Sequence, residues 1–318
     1  MKNSIVLLLF IFANVGFSQE LNIPAQTQYL ADNPFSISPA YAGIGDNARI
    51  RINGLAQWVG VKNAPINQSI VADFRFTNTD GLGISAYNDK NGNTRQLGLK
   101  LSYAHHLILD YDTEQYLSLG LSYNLNQFRI EIQNFDQSIF DPSVTSDRFT
   151  SNNNFDLSGL YRFKNYYISV NAANVLNKDK SKFLGAEPAT LRNYQVYTGI
   201  KFRQPGSDFE IEPSVLYQFF ESDKRSTTDA NVKLKLYDGD DYYWAGITTR
   251  FLNEQYFNPV TVGPVLGLQK KKFYFGYSYQ VNTNNLLPYN SGTHMITLGI
   301  DFLENISNCP CTRNRIAD

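Results

Sequence analysis

Reactive side chains are scarce in this 318-residue chain: three His and two Cys. His105 and His106 are adjacent, and His294 lies far along the chain. Nucleophilic catalysis needs a base oriented against a Ser or Cys, so the position of these imidazoles decides whether such chemistry is open. Glu210 and Glu212 stand two residues apart, a spacing that could suit acid–base work or simple charge pairing. Asp238-Gly239-Asp240-Asp241 offers carboxylates of the kind calcium takes, but it also reads as a short turn. Cys309-Pro310-Cys311 closes the list. An exported compartment permits disulfides, yet a C-x-C pair makes only a small strained ring. Thiols bound to a metal or a partner, or a plain unstructured tail, are the alternatives.

The elements that carry these residues are strands. Leu117, Leu119, Leu121, Tyr123 and Leu125 alternate with Ser118, Gly120, Ser122, Asn124 and Asn126. Phe273, Phe275, Tyr277 and Tyr279 alternate in the same way with Tyr274, Gly276, Ser278 and Gln280. Such alternation puts one residue type on each face of a strand. The polar face holds small residues, amides and full charges: Arg49, Arg51, Asp73, Arg75, Asp156, Arg162, Lys233 and Lys235 among them. A soluble barrel would fill its interior with aliphatics. A uniform apolar face opposite a charged one is the inside-out pattern of a barrel whose outer face meets lipid.

The spacing predicts about fourteen strands, over 48–58, 67–76, 81–89, 95–105, 115–126, 154–163, 166–173, 192–202, 209–219, 228–236, 242–250, 260–268, 272–280 and 294–302. Most approach the ~9–11 residues that a tilted strand needs to cross a bilayer. The fold class is therefore all-β, an antiparallel up-and-down transmembrane barrel. Long connections such as 127–153 and 174–191 alternate with short ones. That rhythm puts the long ones outside and both termini in the periplasm. Pro213 and Pro264 fall inside strands, where each removes a ladder donor, so a bulge or break is expected at both. Strand 242–250 alternates poorly.

Residues 1–18 read as a secretory signal peptide: Lys2, then an apolar run from Ile5 to Phe12, then small residues at Gly16 and Ser18. Residues 19–47 form an irregular periplasmic leader or plug, 48–302 the barrel, and 303–318 a periplasmic tail. Aromatic residues make up 14% of the chain, with 21 Tyr and 22 Phe, which suits a membrane barrel. The net charge of −1 provides no field to select nucleic acid. His105 and His106 close strand four at the inner side, while His294 opens strand fourteen at the outer side. A bilayer of roughly 30 Å separates them, so they cannot form one site. No catalytic residue, cofactor or metal is expected. Phe128, Ile130, Ile132, Phe135, Ile139 and Phe140 make the loop 127–153 unusually apolar. They are the candidate partner-binding residues, or else a flap that folds inward.

One combination of motifs is specific. Thr27-Gln28-Tyr29-Leu30, Asn33-Pro34 and Ser38-Pro39-Ala40-Tyr41-Ala42-Gly43 precede Gln57-Trp58-Val59-Gly60, Ala64-Pro65 and Gln68-Ser69. Gly81-Leu82-Gly83, Asn88-Asp89 and the Leu-Gly-Leu run at 97–99 follow, then Arg192-Asn193-Tyr194, Pro213-Ser214-Val215-Leu216, Gly276-Tyr277-Ser278-Tyr279 and Ser291-Gly292-Thr293-His294. In this order the chain resembles the PorP/SprF family of type IX secretion outer-membrane proteins of Bacteroidetes, over about 24–302. The tail after Phe302 departs from that pattern. The resemblance implies a non-enzymatic role at the bacterial outer membrane, among its lipids. It implies a secreted surface protein with a type IX C-terminal signal domain as partner, adhesin-like cargo that the barrel helps export and hold, and contact with other type IX components. A passive channel or porin is the alternative.

Overall fold

The computed structural model describes residues 27–130, 148–176, 192–221, 224–255, 258–285, 287–303 and 307–313. Residues 1–18, read as a signal peptide, lie outside them. Fourteen antiparallel strands follow one another around a closed sheet. They are β1 (Ala48–Ala56), β2 (Ile66–Arg75), β3 (Asp80–Asn91), β4 (Thr94–Asp110), β5 (Gln115–Ile130), β6 (Arg148–Phe163) and β7 (Tyr166–Ala173). Next come β8 (Asn193–Ile200, resuming as Phe202–Arg203), β9 (Phe209–Phe220), β10 (Ser226–Asp238), β11 (Asp241–Leu252), β12 (Pro259–Lys270), β13 (Phe273–Asn282) and β14 (Thr293–Phe302). Closure is made by β14 on β1, from Ala48 opposite Phe302 to Ala56 opposite His294. Every strand therefore has two neighbours, and no edge is left with unpaired N–H and C=O groups.

The alternation reads directly as sidedness. On β5, Leu119 and Leu121 are 49% and 43% exposed, whereas Ser118 and Ser122 are fully buried in the lumen. The same apolar band continues around the barrel through Ile52, Ile70, Leu101, Leu157, Ile247 and Leu298, all exposed. Aromatic side chains ring both ends. Phe74, Tyr166, Phe202 and Phe273 stand exposed at the rim nearest Ala48 and Phe302, and Tyr194 and Tyr217 lie toward the opposite rim. We call these the terminal rim and the loop rim. An apolar belt between aromatic girdles is the outer surface of a transmembrane barrel. Among the described residues no helix is long and apolar enough to cross a membrane.

Several strands exceed their expected limits. β4, β5 and β6 run to Asp110, Ile130 and back to Arg148. The expected loop 127–153 is thereby reduced to 131–147, and Phe128 and Ile130 belong to β5. The ladder explains the change: Phe128 pairs with Thr150 and Ile130 with Arg148, so the two strands support each other beyond the alternating stretch. β3 and β4 meet in a two-residue turn at Gly92-Asn93, which shortens one connection on the long-loop side. The region 242–250 is an unbroken strand.

The prolines act differently from expectation. Neither breaks its strand, and neither sits at a register shift. Pro213 pairs with Val232 and Pro264 with Ile247. On the opposite side the ladder lapses. β9 skips Glu212 and Pro213 against β8, and β12 skips Gly263 and Pro264 against β13, with register resuming unchanged. A proline lacks one donor, so the lost bond concerns one neighbour only. Register shifts occur instead between Ile108 and Asp110 and between Arg250 and Phe251.

The lipid-facing band yields the first prediction. Leu121→Arg places a guanidinium on the outward register of β5, paired between Tyr103 and Leu157. Denaturant unfolding in lipid vesicles should show a loss of about 2–4 kcal/mol. An unchanged midpoint would mean that this face does not meet hydrocarbon.

Candidate functional site

The lumen is occupied. Residues Thr27–Ile44 enter it as three short 3-10 turns, Thr27–Leu30, Pro34–Ser36 and Pro39–Tyr41. Tyr29, Leu30, Phe35, Ile37, Tyr41 and Ile44 are all buried there. They pack with inward residues of the wall, Val71, Leu160, Tyr167, Tyr197, Leu216 and Trp244 among them, into one apolar cluster. The leader left open between plug and plain leader by the sequence is a plug, and it supplies the barrel's core. Each fully buried large apolar side chain contributes roughly 1.5–3 kcal/mol, so this cluster dominates the docking.

Glycines in the wall make the close approach possible. A Cβ at Gly81 would fall onto the Ala42 carbonyl oxygen, and one at Gly120 onto the backbone of Pro39 and Ala40. Both lie on inward positions where a strand side chain would otherwise project. Gly81-Leu82-Gly83 is therefore a seat for the plug.

Polar groups fix the plug's register. Asp32 Oδ1 lies 2.9 Å from Lys233 Nζ, and Asp32 Oδ2 3.3 Å from Lys235 Nζ. Lys233 also reaches Glu212 Oε2 at 3.3 Å, so Glu212 serves as a counter-ion within this cluster. Tyr29 donates to Asp229 Oδ2 at 3.2 Å, and Asn231 donates to the Tyr29 hydroxyl oxygen at 3.0 Å. The Ala40 and Gly43 amides donate to Ser158 Oγ and Asp73 Oδ2 at 2.9 and 3.0 Å. Four further lumenal ion pairs stand among the described residues: Arg49 with Asp73, Arg51 with Asp301, Lys100 with Asp156 and Arg250 with Asp229, all at 2.5–2.7 Å.

His106 is part of this seat. Its Nε2 meets the Ala42 carbonyl at 2.9 Å, and its Nδ1 meets Ser118 Oγ at 2.7 Å. A Ser–His contact resembles the start of a nucleophilic dyad. Here the carbonyl takes the Nε2 proton, Ser118 donates to Nδ1, and the plug covers both. The pair holds Ala42. Spacing along the chain sets His106 only against His294, whereas Ser118 opposes it on the neighbouring strand. The other histidines lie apart, His105 against Asp80 at 2.7 Å near the terminal rim and His294 against Tyr277 at 2.8 Å near the loop rim.

Where it is described, the tail packs on the barrel, unlike the unstructured tail among the alternatives. Cys309 and Cys311 form a disulfide, and residues 307–313 fold back across the terminal rim. Thr312 carbonyl accepts from the Gly45 amide at 2.8 Å. Arg162 donates to the carbonyls of Cys311 and, at 2.7 Å, of Arg313. The plug and tail thus share partners at one mouth. Gly239-Asp240 is the two-residue turn between β10 and β11, with Gly239 at φ +63°.

Of the six candidate partner residues, Phe128 points into the lumen and is buried. Ile130 ends β5. Ile132, Phe135, Ile139 and Phe140 lie outside the described residues, as does most of the connection 174–191. The structure brings together instead the plug and its seat. The signal for it was present as apolar residues on the wrong register. Leu160, Tyr197, Leu216 and Trp244 interrupt otherwise polar inward faces.

Asp32 supplies a second prediction. Burial alone would raise its carboxyl pKa, but the ammonium groups of Lys233 and Lys235 outweigh this and hold it well below the usual carboxylate range. A lowered carboxylate stabilises the folded form above its unfolded pKa, and that contribution fades only as the pH falls through the lowered folded value. Plug docking should therefore be equal at about pH 7.5 and about pH 4.5, both above the ordinary Asp value. Asp32→Ala leaves two buried ammonium groups short of a partner and should cost about 3–5 kcal/mol. The measure is membrane conductance, quiet for the native chain at both pH values and raised for the variant.

Comparison with known proteins places this geometry. The CymD monoaromatic hydrocarbon channel superposes with a TM-score of 0.52 at 10% identity, covering 87% of this chain and 93% of that one. BamA from Haemophilus ducreyi lacking POTRA domains 1–3 gives a TM-score of 0.42 at 10% identity, covering 80% and 70%. The Acinetobacter baumannii outer membrane protein Omp33 gives 0.41 at 11%, covering 81% and 99%. At such identities the first of these shows a shared fold and nothing finer. No curated protein sequence matches the chain. The family described as type IX secretion system membrane protein PorP/SprF matches residues 18–300. This span takes in the plug, its glycine seat and the barrel almost to its last residue, so this outer-membrane β-barrel belongs to the PorP/SprF family of type IX secretion system membrane proteins.

Proposed function

We propose that the chain is an accessory barrel of the type IX system that helps export a secreted surface protein and holds it at the outer membrane. The observation that carries this reading is the plug. A channel needs an open lumen, whereas a docking platform needs a rigid one, and Thr27–Ile44 fills this lumen with an apolar core. The alternative, a passive channel, has that core against it.

The orientation belongs to the same proposal. The rim with short turns, the tail and the plug's exit faces the periplasm, and the connections 131–147 and 174–192 face outward. Loops carry recognition on a rigid scaffold. Ile132, Phe135, Ile139 and Phe140 are the proposed contacts for a secreted protein with a type IX C-terminal signal domain, with Ile130 at the base of their loop. Phe128, turned into the lumen, anchors that base. Other type IX components would meet the periplasmic rim. The role is non-enzymatic, and lipid surrounds the outer belt.

Two measurements test it. The purified barrel in planar bilayers should carry no steady open-pore current, and deletion of 27–44 should produce one. Mild-detergent extraction from the native host should recover a large surface protein, lost when 131–147 is shortened. Steady current from the intact chain, or recovery of no protein partner, would overturn the docking reading.

A further inference from the structure

The terminal mouth holds a recess of ≈ 560 Å³ that spans the wall from β5 to β10 and takes in part of the tail. Five cationic side chains line it: Arg162, Lys164, Lys201, Arg203 and Arg313. Three carboxylates stand against them in the lining, those of Asp46, Glu114 and Asp208. The recess on the other side of the plug is the contrast. Its lining has one cation and one carboxylate, Lys100 and Asp156, and they are paired at 2.6 Å.

The positive excess lies in particular residues. Along the lumen, Arg49, Arg51, Lys100, Lys233 and Arg250 each have a carboxylate oxygen at 2.5–2.9 Å. Arg162, Lys164 and Arg313 have no carboxylate in ion-pair reach among the described residues. Arg162 is half-buried and donates only to the tail carbonyls of Cys311 and Arg313, with the Tyr116 ring 5.4 Å from its guanidinium. The Lys164 ammonium has the Phe163 ring at 5.6 Å. The Arg313 guanidinium donates to the Ser307 carbonyl at 3.4 Å. Carbonyls and rings solvate a cation but leave its net charge standing. A partly buried charge without a counter-ion is costly, and a cleft with an excess of one sign concentrates its field on an incoming ligand.

Much of the remaining lining is aromatic. Tyr111, Tyr116, Tyr166, Tyr167 and Tyr237 stand among the cations, and Tyr111 is 69% exposed. Tyrosine and arginine are side chains enriched where proteins bind proteins. A single small anion would leave most of a recess this wide empty. We propose that the recess receives an acidic peptide segment of a periplasmic type IX component. Its carboxylates would meet Arg162, Lys164 and Arg313, and its backbone would lie against the tyrosines. This deepens the proposed function and rests on it, because the orientation given there turns this mouth to the periplasm. Barrel and tail build the site together: Arg162 and Lys164 come from one and Arg313 from the other.

The probe is a fluorophore-labelled peptide, acetyl-Gly-Glu-Gly-Glu-Gly-amide, titrated onto the full-length barrel in uncharged detergent and followed by anisotropy. Its Lys counterpart is the control. The Glu peptide should bind saturably and the Lys peptide should not. Binding should weaken between about 50 mM and about 500 mM salt, where charges are screened over a few ångströms. Lys164→Gln with Arg313→Gln removes two exposed cations and should weaken the Glu peptide about fivefold. Lys62→Gln, at an exposed position of the β1–β2 connection on the loop rim, should change nothing. Arg162→Gln should weaken binding as well, with heat-modifiable mobility on gels to check that it folds; if it does not, the exposed pair decides alone. No binding of the Glu peptide, equal binding of both peptides, no effect of the double variant, or an equal effect of Lys62→Gln would overturn the inference. So would displacement by inorganic phosphate at the peptide's own concentration, which marks a site for small anions. Partner recovery measured beside it separates the two readings. A periplasmic protein recovered with the barrel, but no peptide binding, removes the recess and keeps the accessory role. A bound peptide with no recoverable protein removes that role.

Discussion

The closed ladder is the constraint on which everything else depends. In hydrocarbon there is no water to satisfy a strand edge, so a sheet must close on itself or stay out. The pairing of β14 with β1 meets that demand and does so without a gap from Ala48 to Ala56. Once the ring is closed, side-chain alternation leaves no freedom. One register faces lipid and the other faces a lumen whose width is set by fourteen strands.

That lumen then poses its own problem. Fourteen inward faces are too wide for their own side chains to fill, and they carry buried charges. The chain answers with its own leader. Tyr29, Phe35, Ile37 and Tyr41 provide the apolar mass, and Asp32 completes a cluster with Lys233, Lys235 and Glu212. Apolar burial accounts for most of the holding energy. Buried ion pairs give back much of their Coulombic gain as desolvation, so the Asp32 cluster acts chiefly to fix where the plug sits. Gly81 and Gly120 let plug backbone approach wall backbone, a contact that no side-chain-bearing residue would permit there.

The consequence for function is an asymmetric body. At the terminal mouth the described tail residues pack against Gly45 and Arg162. The opposite side carries a polar recess and the longest connections. The disulfide-bearing tail lies beyond the matched family span of 18–300, so its packing at the mouth is a feature of this chain in addition to the shared barrel.

The amino-acid order alone determined strand number, sidedness and most strand limits. Leu119, Leu121 and their partners alternate with Ser118 and Ser122, and a period of two has only one structural meaning. Local sequence could not determine what filled the lumen. Tyr29 and Leu216, or Asp32 and Lys233, are some two hundred residues apart, and their meeting depends on ring closure. The same holds for Ser118 beside His106, for the one-sided lapses at Pro213 and Pro264, and for the tail across the mouth. In each case the deciding contact lies across strands, where register and closure, rather than spacing along the chain, set the distance.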